Sequence, residues 1–187
     1  MKVLVACEFS GIVRDAFRAR GHDAVSCDLL PAERPGPHIQ GDVLEILDNG
    51  WDLIVAHDPC TYQCNSGVRW LYADESRWEC LDRSCEFTRK ILGAPIDKIA
   101  RENPIPHKYA VERIGRTYDQ IVHPWQFGHP ETKATCLWLE GLPHLVPTDI
   151  VEGREARIHK MPPSKDRGKL RSITFQGIAN AMAEQWG

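Results

Sequence analysis

The sequence predicts a single α/β domain with a mostly parallel sheet, spanning all 187 residues. Apolar, β-branched runs typical of strands alternate along the chain with segments whose apolar residues recur at helical spacing. The length suits one domain, and a composition of 42% apolar and 26% charged residues is ordinary for a protein with a buried core. In such folds helices cover both faces of the sheet, and ligands bind at the carboxyl ends of the strands.

The N-terminal third of the chain contains three predicted strands. The first is "KVLVACE", and the segment "GIVRDAFRARG" after it is a predicted helix that ends at Gly21. "DAVSCDLL" is the second strand. A proline-rich loop, "PAERPGPH", and a short helical piece, "GDVLEILDNG", then lead to the third strand, "WDLIVAHD".

The longest predicted helix is "ESRWECLDRSCEFTRKIL", and the fourth predicted strand is "IDKIARENP". Polar residues follow each strand at its carboxyl end: Glu8, Asp28, Asp58 and Glu102. Because the carboxyl ends of parallel strands meet at one edge of the sheet, we expect these four stretches to form the functional site.

The cysteines and the hydropathy pattern indicate a reduced, cytoplasmic protein. Seven scattered cysteines, an odd number, fit free thiols better than a disulfide framework. No apolar run approaches the roughly 20 residues that a membrane helix needs, and the N-terminus lacks the pattern of a signal peptide. We therefore expect no membrane partner.

Charge is distributed unevenly. The net charge of −3 argues against a general binder of polyanions, yet residues 151–172 hold seven Lys or Arg and three acids, a local charge of +4. This stretch is either a solvated loop or a site for phosphate groups. The residues assigned to phosphate binding are Arg167, Lys169 and Arg171.

The first strand-to-helix turn suggests an adenosine-containing ligand. "CEFSGIVRDAFRARG" has a small Ser-Gly turn that lets a ligand approach the backbone and the helix N-terminus. Asp28 follows about 20 residues later, the spacing at which an acid accepts hydrogen bonds from ribose hydroxyls. The GxGxxG fingerprint of dinucleotide sites is absent.

Five short motifs together resemble those of the DNA cytosine-5 methyltransferases. "FSG", "GDVLEI", the "PC" of Pro59-Cys60, the "EN" of Glu102-Asn103 and the closing "GIANAMAEQWG" occur in the family's order over nearly the whole chain. The chain looks like a small, phage-type relative, which implies a Rossmann-like S-adenosylmethionine-dependent methyltransferase fold. It also implies the cytoplasm of a bacterium or a phage-infected host cell.

The resemblance assigns a role to each part of the site. It makes Cys60 the nucleophile that adds to carbon 6 of cytosine, and Glu102 the acid that holds and protonates the ring. Pro59, Asn103 and Lys133 become substrate-binding residues. The implied cofactor is S-adenosyl-L-methionine, bound by Phe9, Ser10, Gly11, Asp28 and Asp42. No metal is implied.

The sequence also departs from the family pattern. "ENP" stands where "ENV" is usual, Thr61 follows the cysteine in place of Gln, and Lys133 occupies a stretch where the family has arginines. Residues 141–172, a short basic loop, replace a full target-recognition domain. Either the protein modifies DNA with little sequence preference, or it requires a specificity partner, or its substrate is a free cytosine nucleotide.

Two further interpretations remain open. His57, Cys60 and Cys64 are candidate zinc ligands, although the Cys-x-x-x-Cys spacing and the preceding "HDP" do not fit the zinc deaminase pattern. The chain could also be a non-catalytic module that keeps the fold to bind a nucleotide or a nucleic acid. The presence of both Cys60 and Glu102 favours the enzyme.

Overall fold

The computed structural model describes residues 1–187 and contains one seven-stranded sheet with helices on both faces. The strands are β1 (Lys2–Ala6), β2 (Asp23–Asp28), β3 (His38–Gln40), β4 (Leu53–Ala56), β5 (Lys98–Asn103), β6 (Gln120–Val122) and β7 (Thr135–Glu140). The α-helices are α1 (Ile12–Ala19), α2 (Ser76–Leu92), α3 (Lys108–Ile114), α4 (Arg157–Lys160), α5 (Arg167–Ser172) and α6 (Gln176–Gln185). Short 3₁₀ helices span Val43–Glu45, Asn65–Leu71 and Pro124–Gln126.

The sheet has the strand order β3-β2-β1-β4-β5-β7-β6. The first five strands in that order pair in parallel, whereas β7 runs antiparallel to both of its neighbours. An order of 3-2-1-4-5 is compatible with a Rossmann-like fold. Its switch point, where chain connections leave in opposite directions and ligands bind, lies between β1 and β4.

The sequence predicts the centre of the sheet better than its edges. All four predicted strands and the helices predicted at 11–21 and 75–92 are present, and the predicted short helical piece contains the 3₁₀ helix Val43–Glu45. The prediction misses β3, β6 and β7; β3 and β6 are three-residue edge strands, too short for a hydrophobic period to be visible. The stretch 141–172, predicted as a loop, contains the short helices α4 and α5.

Apolar side chains alternate between the two faces of the central strands, as the strand period of two requires. On one face Val3 and Val5 of β1 belong to a cluster of buried residues that includes α1 and α6. On the other face Leu4 and Ile54 pack with Ile91 of α2. The core thus lies on both sides of the sheet and leaves the carboxyl ends of the strands free. None of the helices is long and apolar enough to cross a membrane.

We expect Ile54→Ala to lower the free energy of unfolding by about 2–5 kcal/mol, because it leaves a cavity in the centre of the sheet. Ile54 is completely buried in β4, whereas Ile150 is 67% exposed. The matched change Ile150→Ala should alter stability by no more than about 0.5 kcal/mol. Urea denaturation of both variants measures the difference, and equal losses would contradict this account of the core.

Candidate functional site

A cavity of about 400 Å³ lies at the carboxyl edge of the sheet, where β1, β4 and β5 end. Its lining includes Glu8, His57, Cys60 and Glu102, which belong to three of the four predicted strand ends. β4 and β5 pair in parallel, with Ala56 opposite Arg101. The residues that follow Ala56 and Arg101 therefore lie at the same level along the strand direction. The sheet register therefore brings these side chains together.

A buried ion pair fixes the loop that contains Cys60. Arg101 donates from Nε to Asp58 Oδ1 at 2.6 Å and from a terminal nitrogen to Asp58 Oδ2 at 3.0 Å. Both side chains are about 1% exposed. Thr88 also donates to Asp58 Oδ2, at 2.6 Å, and Arg101 stacks on the Trp138 ring. Two desolvated charges joined by several hydrogen bonds allow little movement of the backbone between them.

The amide side chain of Asn103, predicted to bind substrate, serves this same loop. Its Nδ2 donates to the Asp58 carbonyl at 3.0 Å, and the side chain is buried. Gln63 continues the network by accepting from Arg101 and donating to Thr88. Asn103 also lines the cavity, so it holds the loop and forms part of the wall.

Cys60 and Cys64 lie one turn apart and both line the cavity. A hydrogen bond between the two thiols raises the pKa of Cys60 and lowers that of Cys64 to about 5. The pair thus loses its first proton easily and its second with difficulty, because one thiol donates to the other's thiolate. Ser66 lies 3.3 Å from Cys64 Sγ and favours the charge there.

His57 and Glu102 form a second buried pair on the adjacent wall. His57 Nδ1 lies 2.8 Å from Glu102 Oε2, and each side chain is less than one-tenth exposed. Burial opposes both charges, but the hydrogen bond outweighs it, so the pKa of His57 is raised and the pKa of Glu102 is lowered. Lys133, which lines the same cavity, also lowers the pKa of Glu102.

The turn after β1 is organised by Glu8, whose role the sequence did not reveal. Its carboxylate accepts hydrogen bonds from the backbone nitrogens of Val13 and Arg14 and from the Ser10 hydroxyl. The Glu8 carboxylate thus caps the start of α1. Of the residues predicted to bind the cofactor at this turn, Phe9 and Ser10 line the cavity, whereas Gly11 does not. A Cβ at Gly11 would meet the Arg14 guanidinium at 2.5 Å.

A second cavity, of about 470 Å³, adjoins the first. It is lined by Asp28 and Asp42, and it shares Cys7 and Pro59 with its neighbour. Leu30 and Leu44 each donate a backbone N–H to one oxygen of these aspartates, so the other oxygen is available to a ligand. Four of the five predicted cofactor residues, all except Gly11, therefore divide between two adjoining cavities at the switch point of the sheet.

Cys7 stands at the junction of the cavities with a left-handed backbone, φ 56°. It is the only residue other than glycine with a positive φ. Such conformations cost of order 1–3 kcal/mol and cluster at ligand sites.

The three basic residues predicted to contact phosphates have different surroundings. Arg167 donates to the Met161 carbonyl at 2.8 Å, and Lys169 pairs with Glu33 at 2.6 Å. Only Arg171 lines the first cavity, together with Ile158 of α4 and Gly168 of α5. The segment thus forms one wall of the cavity.

The structure groups no three His, Cys, Asp or Glu side chains in a geometry that could hold a metal ion. His57, one of the candidate zinc ligands, uses Nδ1 for Glu102 instead. Sequence reasoning missed this pair and the Asp58–Arg101 pair. An arginine inside the apolar strand "KIAREN" was the available signal, because a buried cation requires a nearby acid.

Comparison of the chain with protein-family models gives no match, and comparison with curated proteins gives none either. What the site does must therefore be argued from its geometry and from the motifs in the sequence.

We expect Asp58→Asn to lower the free energy of unfolding by about 3–5 kcal/mol, because it leaves the Arg101 charge buried without its partner. Asp82→Asn is the matched control. It breaks the pair between Arg113 and a carboxylate that is 59% exposed, and it should cost less than about 1 kcal/mol. Urea denaturation compares the two variants, and a small effect of Asp58→Asn would show that the buried pair does not stabilise the loop.

Proposed function

We propose that the protein is a methyltransferase that transfers a methyl group from S-adenosylmethionine to carbon 5 of cytosine. The observation on which the proposal depends is that Cys60 and Glu102 line one cavity, beside a second cavity that contains Asp28 and Asp42. These are the residues to which the resemblance to cytosine-5 methyltransferases gives the nucleophile, the acid and the cofactor site.

The chemistry requires a nucleophile and a group that polarises the ring. Carbon 5 of cytosine is too poor a nucleophile to accept a methyl group until another nucleophile adds to carbon 6. The hydrogen bond between the thiols places the charge on Cys64 and the proton on Cys60, so Cys64 can act as the base that takes this proton as the Cys60 sulfur adds to carbon 6. Glu102, which lines the same cavity, can accept a hydrogen bond from the exocyclic amine of the ring.

The two connected cavities fit the proposed cofactor. Asp28 has one carboxylate oxygen available for the ribose, and Leu29, Val43 and Phe87 provide apolar walls for an adenine. Asp42 lies at the same end. When bound, S-adenosylmethionine supplies an electrophilic methyl group. The opening at Cys7 and Pro59 would direct that end of the molecule toward Cys60. A methyltransferase variant of the Rossmann-like fold is consistent with this arrangement.

A free cytosine nucleotide is the second candidate substrate, favoured by the wall that α4 and α5 add to the first cavity. Ile158, Gly168 and Arg171 narrow this space to about 400 Å³, a usual size for a small-molecule site. Arg171 and Lys133 are then available for a phosphate. DNA as substrate would need this segment to move, or a partner protein to present the base.

We expect calorimetric titration with S-adenosylmethionine to show binding that weakens by about tenfold in Asp28→Ala, because a hydrogen bond to a charged group contributes about 1.5–3 kcal/mol. Asp52→Ala is the control, since Asp52 lies at the opposite end of β4 and accepts from the Lys2 backbone. Unchanged affinity in Asp28→Ala would move the cofactor site elsewhere, and no binding by the wild type would defeat the proposal.

We expect substrates with fluorine at carbon 5 of cytosine to form a covalent adduct on Cys60 when S-adenosylmethionine is present. Release of the enzyme requires removal of a proton from carbon 5, and fluorine cannot leave in that way. Cys60→Ser should abolish the adduct because an alcohol is scarcely ionised near neutral pH, whereas Cys64→Ser should retain it.

Mass spectrometry of the denatured protein, run with mononucleotide, single-stranded and duplex substrates, measures the adduct and identifies the substrate class. An adduct mapped to Cys64 would transfer the nucleophile role to that residue. No adduct on any of the three would favour a non-catalytic binding module.

A further inference from the structure

His57 is the buried titratable group in the first cavity to which the proposed reaction gives no role. One ring nitrogen, Nδ1, is held by Glu102 at 2.8 Å, while the other, Nε2, is buried without a hydrogen-bond partner. Leaving a buried polar atom unpaired costs about 1–3 kcal/mol. Since His57 lines the cavity three residues before Cys60, a ligand in that cavity is the natural partner for Nε2.

The pairing also limits what Glu102 can do. Hydrogen bonding by His57 and the charge of Lys133 overcome burial and hold the pKa of Glu102 below its ordinary value, so this carboxyl has no proton to give near neutral pH. An ionised carboxylate only accepts hydrogen bonds. It can therefore bind the exocyclic amine of cytosine, but the ring nitrogen N3 needs a different proton donor.

We propose that His57 is that donor, and that its Nε2–H protonates N3 of the pyrimidine while Glu102 holds the imidazole through Nδ1. This inference rests on the function proposed above. It makes His57 a catalytic residue and Glu102 a residue that both binds the amine and orients the histidine, an arrangement in which a carboxylate fixes the ring of an acid–base histidine.

The step balances within the site. As the bond forms between Cys60 Sγ and carbon 6, the C5=C6 electron pair moves to form C4=C5. The C4=N3 pair moves to N3, where it takes the proton from Nε2. His57 becomes neutral and continues to donate Nδ1–H to Glu102. When the C4=N3 double bond re-forms, the proton returns to Nε2.

The charges that face His57 come from several elements. Glu102 on β5 and Glu8 after β1 favour the protonated imidazole, while burial and Lys133 before β7 oppose it. Asp58 adjoins it in the chain, and Cys60, Cys64, His159 and Arg171 line the same cavity. The net effect raises the pKa of His57 above its ordinary value of 6.5, so the acid form persists toward neutral pH.

The test is the rate of adduct formation on a 5-fluorocytosine substrate between pH 5 and 9, measured for wild type and His57→Asn. The asparagine amide can still donate to Glu102 but cannot supply a proton. We expect the wild-type rate to fall on the alkaline side as His57 loses its proton. The variant should be about 10²–10⁴-fold slower and lack that fall. His144→Asn, at an exposed loop position, is the control and should match wild type.

Two further measurements separate a catalytic from a structural role. Alkylation of Cys60 by iodoacetamide should proceed at a similar rate in wild type and His57→Asn if the loop is intact. In Glu102→Gln the loss of the neighbouring charge should lower the pKa of His57, measured by ¹⁵N NMR. If His57→Asn does not fold, the wild-type profile decides, because its alkaline limb must coincide with the His57 titration.

The outcomes distinguish the two proposals. If the wild type forms the adduct and His57→Asn forms it at the same rate with the same pH dependence, the role of His57 is overturned and the methyltransferase proposal stands. An alkaline limb that does not coincide with the His57 titration would likewise overturn the role of His57 and leave the methyltransferase proposal standing. If the wild type forms no adduct on any cytosine substrate, both proposals fail.

Discussion

The ion pair between Asp58 and Arg101 is the interaction on which the site depends. It joins the loop after β4 to the interior of β5, and Gln63, Thr88 and Asn103 add further hydrogen bonds to it. Replacing such a network with apolar residues often costs nothing in stability. Its presence is therefore better explained by its effect on the position of the loop than by a gain in the free energy of folding. It fixes the position of the loop just before Cys60, and hence which side chains face the Cys60 thiol.

Around this fixed point the site contains two pairs of titratable side chains with different electrostatics. The thiols of Cys60 and Cys64 share one proton, and His57 and Glu102 form an ion pair against the cost of burial. The first pair readily provides an anion and the second a cation that can lose a proton. The proposed addition of Cys60 to carbon 6 would use both at once, because N3 lies across the pyrimidine ring from carbon 6.

The sequence was sufficient to predict the features that depend on local patterns of apolar residues. The strands through Val3, Ile54 and Ile99 are visible as apolar runs, and the parallel order follows from their alternation with helices. The polar pairs were not predictable in the same way. His57 and Glu102 are 45 residues apart, and only the register between β4 and β5 brings them to the same height. Gly11, which the sequence assigns to the cofactor, leaves room for the Arg14 guanidinium, a contact that has no local signature.

The packing of α6 against α1 brings opposite ends of the chain together across one core cluster. Contacts between distant parts of a chain form slowly, because loop closure must precede them. The segment that walls the first cavity, α4 and α5, directly precedes α6. During synthesis from the N-terminus, the central strands and the Cys60 loop therefore emerge before the wall that covers them. In a newly made chain the reactive thiol is open to oxidants and metals of the cell until α6 docks.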